Sequence, residues 1–415
     1  MFAQIITIGD EILIGHTVDG NSAHIAAELN RIGIRVQRIV SVSDQEEAII
    51  RALEEAVSEV DLVLLTGGLG PTRDDITKKA LCACFHSPLV FDKKVFRQNE
   101  KMLAARGIGM NKLNRSQAEI PRDSIPLKNE TGTAPGLWFD RGGRVVVALP
   151  GVPHEMANIL TKEVIPRLTK RFKTPVVIHR TINTFGTFEA RLAELLAGFE
   201  NTLPPHIRLA YLPSYGIIKL RLSLNGSDRT TLEKERDDYQ SELEKIVGKY
   251  VWGYDSDTLE ELVGKELAAR GATLSLAESC TGGTIARMIT SVPGSSRYFT
   301  GSVVAYSNAV KKEWLGVDGK MLSACGAVSR PVTEQMARRA MEKFSTAYAV
   351  ATSGIAGPTG GTPAKPAGTV WIAVANKERT ISEKFLFGNG RQKVILRSAH
   401  AALHMLLQLI RRYPV

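Results

Sequence analysis

The sequence predicts an α/β protein of several domains. Strand-length apolar runs alternate with amphipathic helical patterns near both ends of the chain, three of those runs end in glycine-rich loops, and 415 residues that are 44% hydrophobic can bury more than one core. The expected division is a three-layer α/β domain over residues 1–172, a small α+β connecting domain over 173–253 and a C-terminal α/β domain over 254–415.

The first domain opens with the apolar strand Ala3 to Ile8, followed by Gly9, Asp10 and Glu11. Gly15 and the triplet Asp19, Gly20, Asn21 then lead into the helical pattern AHIAAELNRIG. A second strand, IRVQRIVSV, and a helix around EEAIIRALEEAV follow. DLVLLTGGLGPTRDDITKKAL supplies a third, buried strand ending in Thr66, Gly67, Gly68, Leu69, Gly70, Pro71 and Thr72, with Arg73, Asp74 and Asp75 at the head of the next helix. Such alternation implies a parallel sheet covered on both faces, with ligands gathered at the carboxyl ends of its strands. Gly67, Gly68, Gly70 and Thr72 are candidates for a phosphate loop. Asp10, Glu11, Asp74 and Asp75 fall at the same rim, either as helix-start partners or as oxygen ligands through which a divalent ion bridges to a pyrophosphate.

The middle of the chain has a different texture. After the helical stretch HEMANILTKEVIPRLTKRF, VVIHRTINTFG reads as a strand and EARLAELLAGF as a helix. RLAYLPSYGIIKLRLSL reads as a hairpin turning near Pro213 to Gly216, and LEKERDDYQSELEKIV as a charged helix. Nothing there has the pattern of a catalytic site. A break near Tyr254 to Thr258 precedes LEELVGKELAARGA, the first helix of the last domain, which is expected to fold from about Asp255 onward without the preceding chain.

In the C-terminal domain, ATLSLAESCTGGTIARMIT is a strand, a glycine loop and a helix start. Ser279, Thr281, Gly282 and Gly283 are therefore candidates to seat a phosphate on free backbone N–H groups. A second loop, with Ser353, Gly354 and Gly357, directly follows the apolar run AYAVAT. Between them, PGSSRYFTGSVVAYSNAVKK brings Ser296, Tyr306 and Lys311 within sixteen residues, a hydroxyl, a phenol and an amine. A serine needs a neighbouring base, and a lysine whose ammonium is destabilised by burial can be that base, so this set points to attack on a carbonyl. Cys280 reads as a small buried hydrophobe, with a second nucleophile as the alternative.

The motifs ESCTGG, PGSS, AYSN with its following lysine, GAVS and SGIAGP with GTVW resemble the C-terminal domain of the CinA family. That family includes nicotinamide mononucleotide (NMN) deamidases. GDEIL, TGGLGPTRDDIT, NETGTAPG and LPGVPHEM resemble the molybdopterin-binding, MoaB/MogA-like domain that opens full-length members. The resemblance implies Ser296 as nucleophile, Lys311 as its base and Tyr306 as third member, acting without a cofactor. For the N-terminal domain it implies hydrolysis of ADP-ribose with a divalent metal, for which Asp10, Asp74 and Asp75 are the expected ligands, or binding of a pterin phosphate. It also implies a homodimer. One departure is Gly186-Thr187-Phe188-Glu189-Ala190, where the family pattern has a Gly-x-Gly-Glu-Ser turn.

Composition narrows the remaining classes. The net charge of +10 comes from scattered Lys and Arg with no aromatic-interleaved basic run, which argues against nucleic acid and for attraction of anionic nucleotides such as NMN and ADP-ribose. No apolar stretch is long enough to span a membrane, and no basic-then-apolar leader opens the chain, so a cytoplasmic location without membrane contact is expected. Cys82, Cys84, Cys280 and Cys325 form no zinc spacing. A non-catalytic binding protein for a pterin phosphate or nucleotide, acting in competence or DNA damage, is the alternative from another class.

Overall fold

The structure, a computed structural model, describes residues 1–72 and 75–414. Two compact bodies divide the chain, one formed by residues 1–178 with 225–232, the other by 179–224 with 233–415.

In the first body the elements are β1 (Phe2–Ile8), α1 (Asp10–Leu13), α2 (Gly20–Arg31), β2 (Arg35–Val42), α3 (Glu46–Glu59), β3 (Leu62–Thr66) and α4 (Thr77–Phe85). They continue as β4 (Leu89–Phe91), α5 (Lys93–Ala105), α6 (Lys112–Ser116), β5 (Glu119–Pro121), β6 (Ile125–Leu127), β7 (Gly136–Arg141), β8 (Arg144–Leu149), α7 (Pro153–Ile159) and α8 (Ile165–Arg171). Its main sheet has the order β2-β1-β3-β8-β7-β6. The first four strands are parallel, as the alternation predicts, whereas β7 and β6 extend the sheet antiparallel. Gly142 and Gly143, at φ 60° and 84°, join β7 to β8 in the two-residue turn that requires positive φ at both positions, so this pair closes as a hairpin without a helical crossover. Ile25, Leu29, Met156 and Ile159 bury one face of the sheet, and Ile49, Leu53 and Leu81 the other, which makes three layers. Between α7 and α8 the helix widens into a π turn, Leu160–Val164, where Ile165 donates to the Leu160 carbonyl five residues back. Pro166, which has no N–H to continue the ordinary ladder, stands directly after it.

The connecting segment forms β9 (Val176–Phe185), α9 (Glu189–Thr202), β10 (Ile207–Ser214), β11 (Ile217–Gly226), α10 (Arg229–Val247) and β12 (Val251–Tyr254), in a sheet of order β10-β11-β9-β12. The hairpin turns at Tyr215 and Gly216, inside the span that the sequence marks. The last domain follows as α11 (Leu259–Arg270), β13 (Leu274–Glu278), α12 (Thr284–Thr290), β14 (Phe299–Val304), α13 (Asn308–Glu313), α14 (Gly319–Cys325), α15 (Arg330–Phe344), β15 (Tyr348–Gly354), β16 (Thr369–Asn376), β17 (Thr380–Leu386) and α16 (Arg391–Arg412).

Its sheet runs β14-β13-β15-β16-β17, with β14, β13 and β15 parallel and the last two strands antiparallel. The chain leaves β13 for one neighbour and returns to the other, so the strand order reverses at β13. A reversal of this kind opens a crevice beyond the carboxyl ends of the strands. Leu262 of α11, Ile285 of α12 and Leu403 of α16 cover one face, while Val332, Met336 and Ala340 of α15 cover the other.

The connecting segment contributes to the first of these cores. Ile217 and Trp252 are buried in the same cluster as Leu262 and Leu403, and Phe185 packs against it. Burying a large apolar side chain is worth about 1.5–3 kcal/mol. A fragment beginning at Asp255 loses all three residues and is expected to melt several degrees below a fragment beginning at residue 179. Thermal unfolding of the two by circular dichroism checks this, and equal melting temperatures would show that the packing is energetically idle.

Candidate active site

Register places the site. Glu278 is paired with Val304 on one side and Thr352 on the other, so Ser279 and Ala305 leave the sheet at one rim, beside Ser353 near the end of β15. Lys311, on α13, reaches back under that rim and is 1% exposed. Its Nζ lies 3.1 Å from Ser279 Oγ, 2.7 Å from the Ala305 carbonyl oxygen and 3.1 Å from the Tyr306 carbonyl oxygen. Burial, more than any neighbouring charge, holds the Lys311 ammonium below its usual pKa of 10.5. The two carbonyls take two N–H bonds of the amine. In the neutral form the remaining position is a lone pair, and it faces Ser279.

Ser296, expected to be the partner of Lys311, is elsewhere. It is exposed in a single 3-10 turn, Ser295–Arg297, ahead of the first residue of β14, whereas Tyr306 and Lys311 follow the last. Six residues of strand separate the two ends by roughly 20 Å. Closeness in sequence is undone by the extended backbone between them, and the hydroxyl that meets Lys311 is Ser279, 32 positions upstream.

Nor is the start of α12 free for a phosphate. The fully buried Glu278 carboxylate accepts from the N–H groups of Gly283 at 3.0 Å, Ile285 at 3.1 Å and Ala286 at 2.9 Å. An internal anion therefore occupies the seat that the glycine loop suggested for an external one. Gly282 and Gly283 have φ of 58° and 94° and let the chain turn back over that carboxylate. The Thr281 hydroxyl is paired with Thr352 at 2.7 Å, and Ser353 donates to the Ala327 carbonyl at 2.7 Å, so both are structural. A Cβ on Gly354 would sit 2.6 Å from Val370 and 3.0 Å from Cys280 Sγ, which explains its glycine. Cys280 is buried, and desolvation pushes its thiol up to about 12, so it stays protonated and packs as a small apolar group.

Tyr306 and Gly357 are joined by a residue without a local sequence signal. Arg391, the first residue of α16, donates from Nη2 to Tyr306 Oη at 2.9 Å and from Nη1 to the Gly357 carbonyl at 3.2 Å. Tyr306 itself is 60% exposed, and its carbonyl is one of the two that hold Lys311.

In the N-terminal body, β1 and β3 pair in parallel with Thr7 opposite Thr66, so the loops carrying Asp10 and Asp75 leave one rim. Asp75 accepts from Gly70 N–H and Thr72 N–H, both at 2.7 Å, and from the Thr72 hydroxyl at 2.5 Å. It staples the glycine loop from within. Gly67 has φ of 114°, and a Cβ there would lie 2.2 Å from the Ile8 carbonyl oxygen; one on Gly68 would lie 2.3 Å from Thr77 Oγ1. Asp10 is exposed, and its N–H donates to Asp44. Asp74 lies outside the described residues. Among the described residues no group of three His, Cys, Asp or Glu side chains could hold a metal, so Asp10 and Asp75 do not by themselves fit the expected ion. No described helix is long and apolar enough to cross a membrane.

Comparison with known proteins follows this layout. Residues 4–170 match the Probable molybdopterin binding domain, 179–253 the Damage-inducible protein CinA KH domain, and 256–410 the CinA C-terminal domain. A CinA-like protein of Cytophaga hutchinsonii is 47% identical over 405 residues, covering 98% of this chain and 97% of its own length. One from Flavobacterium psychrophilum is 43% identical over 99% of both chains. Among solved structures, the protein CinA of Thermoplasma acidophilum is 36% identical, with a TM-score of 0.37, covering 41% of this chain and 96% of its own. With relatives 47% and 43% identical over almost their full length and three family domains in sequence, the chain belongs to the CinA family.

Proposed function

We propose that the C-terminal domain deamidates NMN to nicotinic acid mononucleotide and ammonia, with Ser279 as nucleophile and Lys311 as base. The observation that carries this reading is a fully buried amine 3.1 Å from a serine hydroxyl at the rim of a strand-order reversal. Neutral Lys311 accepts the Ser279 proton as Oγ forms a bond to the carboxamide carbon. The C–N bond then breaks, the Lys311 ammonium returns a proton to the departing nitrogen, and ammonia leaves a serine ester. Water, deprotonated by Lys311, cleaves that ester and restores the hydroxyl. The backbone N–H of Thr281, which donates to no backbone carbonyl among the described residues, is suited to the developing oxyanion. In this reading Tyr306 orients the nicotinamide or the leaving nitrogen, supported by its exposure beside Lys311.

For the N-terminal body, the family resemblance supports a phosphorylated ligand. ADP-ribose, cleaved with a divalent ion to AMP and ribose 5-phosphate, is the substrate it suggests. A homodimer rests on the same resemblance. The described carboxylates do not by themselves make an ion site. A second reading, a binding protein with idle sites, has against it a desolvated lysine paired to a serine.

The first test measures ammonia released from NMN. Ser279→Ala is expected to lower turnover at least about 10³-fold, whereas Ser296→Ala stays within about twofold of the parent. The reverse ranking overturns the assignment. A full-length protein that is folded and releases no ammonia would favour the binding-protein reading.

The second test follows pH. Lys311 must be neutral to act, and its pKa in the folded chain lies below 10.5, so kcat/KM should rise with pH and level off before 10.5. Between the folded value and 10.5 the unfolded chain binds the extra proton, so stability also rises with pH across that window. Lys311→Met should abolish turnover and flatten that part of the stability profile, as read by denaturant midpoints over a pH series. An unchanged profile would mean that Lys311 titrates normally.

The third test addresses Asp75. As a loop staple, Asp75→Asn keeps one acceptor and is expected to cost about 1 kcal/mol of stability, read by chemical denaturation. ADP-ribose cleavage assayed over a panel of divalent ions should then fall no more than about tenfold. Complete loss at saturating metal, in protein of parental stability, would instead make Asp75 an ion ligand.

A further inference from the structure

Arg391 is separated from Lys311 by 80 positions and lies on a different element, yet its guanidinium spans two parts of the site. Nη2 holds the Tyr306 phenol and Nη1 holds the Gly357 carbonyl of the loop that follows β15. Tyr306 has few other restraints on its ring, since 60% of the residue is exposed. Its backbone, by contrast, is fixed at both ends: the N–H donates to Val304 and the carbonyl accepts from Lys311 Nζ. The ring is thus tethered at its base to the catalytic amine and at its tip to Arg391. Gly390, at φ 102°, turns the chain into α16 and delivers Arg391 as the first helical residue. Of the ionic pairs between described residues, none involves Arg391, so its bonds go to neutral oxygens that fix direction rather than to a carboxylate.

We propose that Arg391 is a positioning residue for NMN deamidation: it clamps the Tyr306 phenol against the Gly357 loop and so sets the phenol's place over the Ser279–Lys311 pair. This inference rests on the proposed function for the chemistry, though not for the clamp itself. A fork of two donors in one plane fixes a ring more tightly than an ammonium can, so lysine is a poor replacement. Misplacement of a reacting group by about 1 Å can cost on the order of 10²-fold in rate.

The test combines a double-mutant cycle with a probe that does not need turnover. In full-length protein, Arg391→Ala is expected to lower kcat for NMN about 10- to 100-fold with KM within threefold. Arg391→Lys should recover little of the loss, and added guanidinium ion should restore part of it. Tyr306→Phe combined with Arg391→Ala should be no slower than Tyr306→Phe alone, because the arginine acts through the phenol. Fully multiplicative effects, or a loss confined to KM, would overturn the proposal and make Arg391 a direct substrate contact. Separately, 3-fluorotyrosine at position 306 should give one fluorine resonance that shifts or broadens in Arg391→Ala. An unchanged resonance overturns the clamp. If the parent releases no ammonia while that resonance does respond, the deamidase reading fails and the clamp stands.

Discussion

Burial of a lysine amine is the constraint around which the C-terminal domain is arranged. An ammonium removed from water carries a penalty of several kcal/mol unless it is paired or loses its proton. Here the surroundings of Lys311 are two carbonyl oxygens and a hydroxyl, with burial as the leading influence on its titration. Those partners come from the ends of two neighbouring strands, and each must sit within hydrogen-bond reach. The parallel register of β13 with β14, the return of α13 beneath the rim and the turn beginning at Ser279 are all fixed by that requirement. The desolvation that lowers the Lys311 pKa is the same one that opposes burial of its charged form.

Two glycine loops, one in each body, share a construction. In each a carboxylate of the chain itself bonds to backbone N–H groups that the loop would otherwise present to a phosphate: Glu278 to Gly283, Ile285 and Ala286, and Asp75 to Gly70 and Thr72. Charge-assisted bonds of this kind are roughly twice as strong as neutral ones. The glycines are needed for close approach of backbone and for positive φ, and an internal acid stiffens the turn that results. Anion recognition in these loops is therefore limited to the N–H groups that the acids leave uncovered.

Much of this was legible in the sequence. Alternating strands and helices predicted both α/β domains, and the hairpin at Tyr215-Gly216, the first helix of the last domain and the glycine loops all lie where their residues place them. Lys311 was marked by its closeness along the chain to Ser296 and Tyr306 and by the family resemblance. Its partner was not. Ser296 is closer along the chain, but sequence separation does not measure distance once a strand intervenes, and Ser279 was visible only as a loop residue. Arg391 had no local signal, since it joins Tyr306 from 85 positions away through the packing of α16. Glu278 reads as the last residue of a strand, and only the positive φ of Gly282 and Gly283 reveals that the chain folds back over it.

The link between β15 and β16 has one more consequence. Residues 358 to 364 are exposed, and the chain reaches Ser279, Tyr306 and Lys311 before that link and Arg391 only after it. The strands on either side are zipped together from Tyr348 opposite Asn376 to Gly354 opposite Val370, and α16 is buried in the core. A protease nicking this link would leave two pieces that travel together on a sizing column and separate only in denaturant. Intact mass under native conditions would then say little about whether the polypeptide is continuous between Lys311 and Arg391.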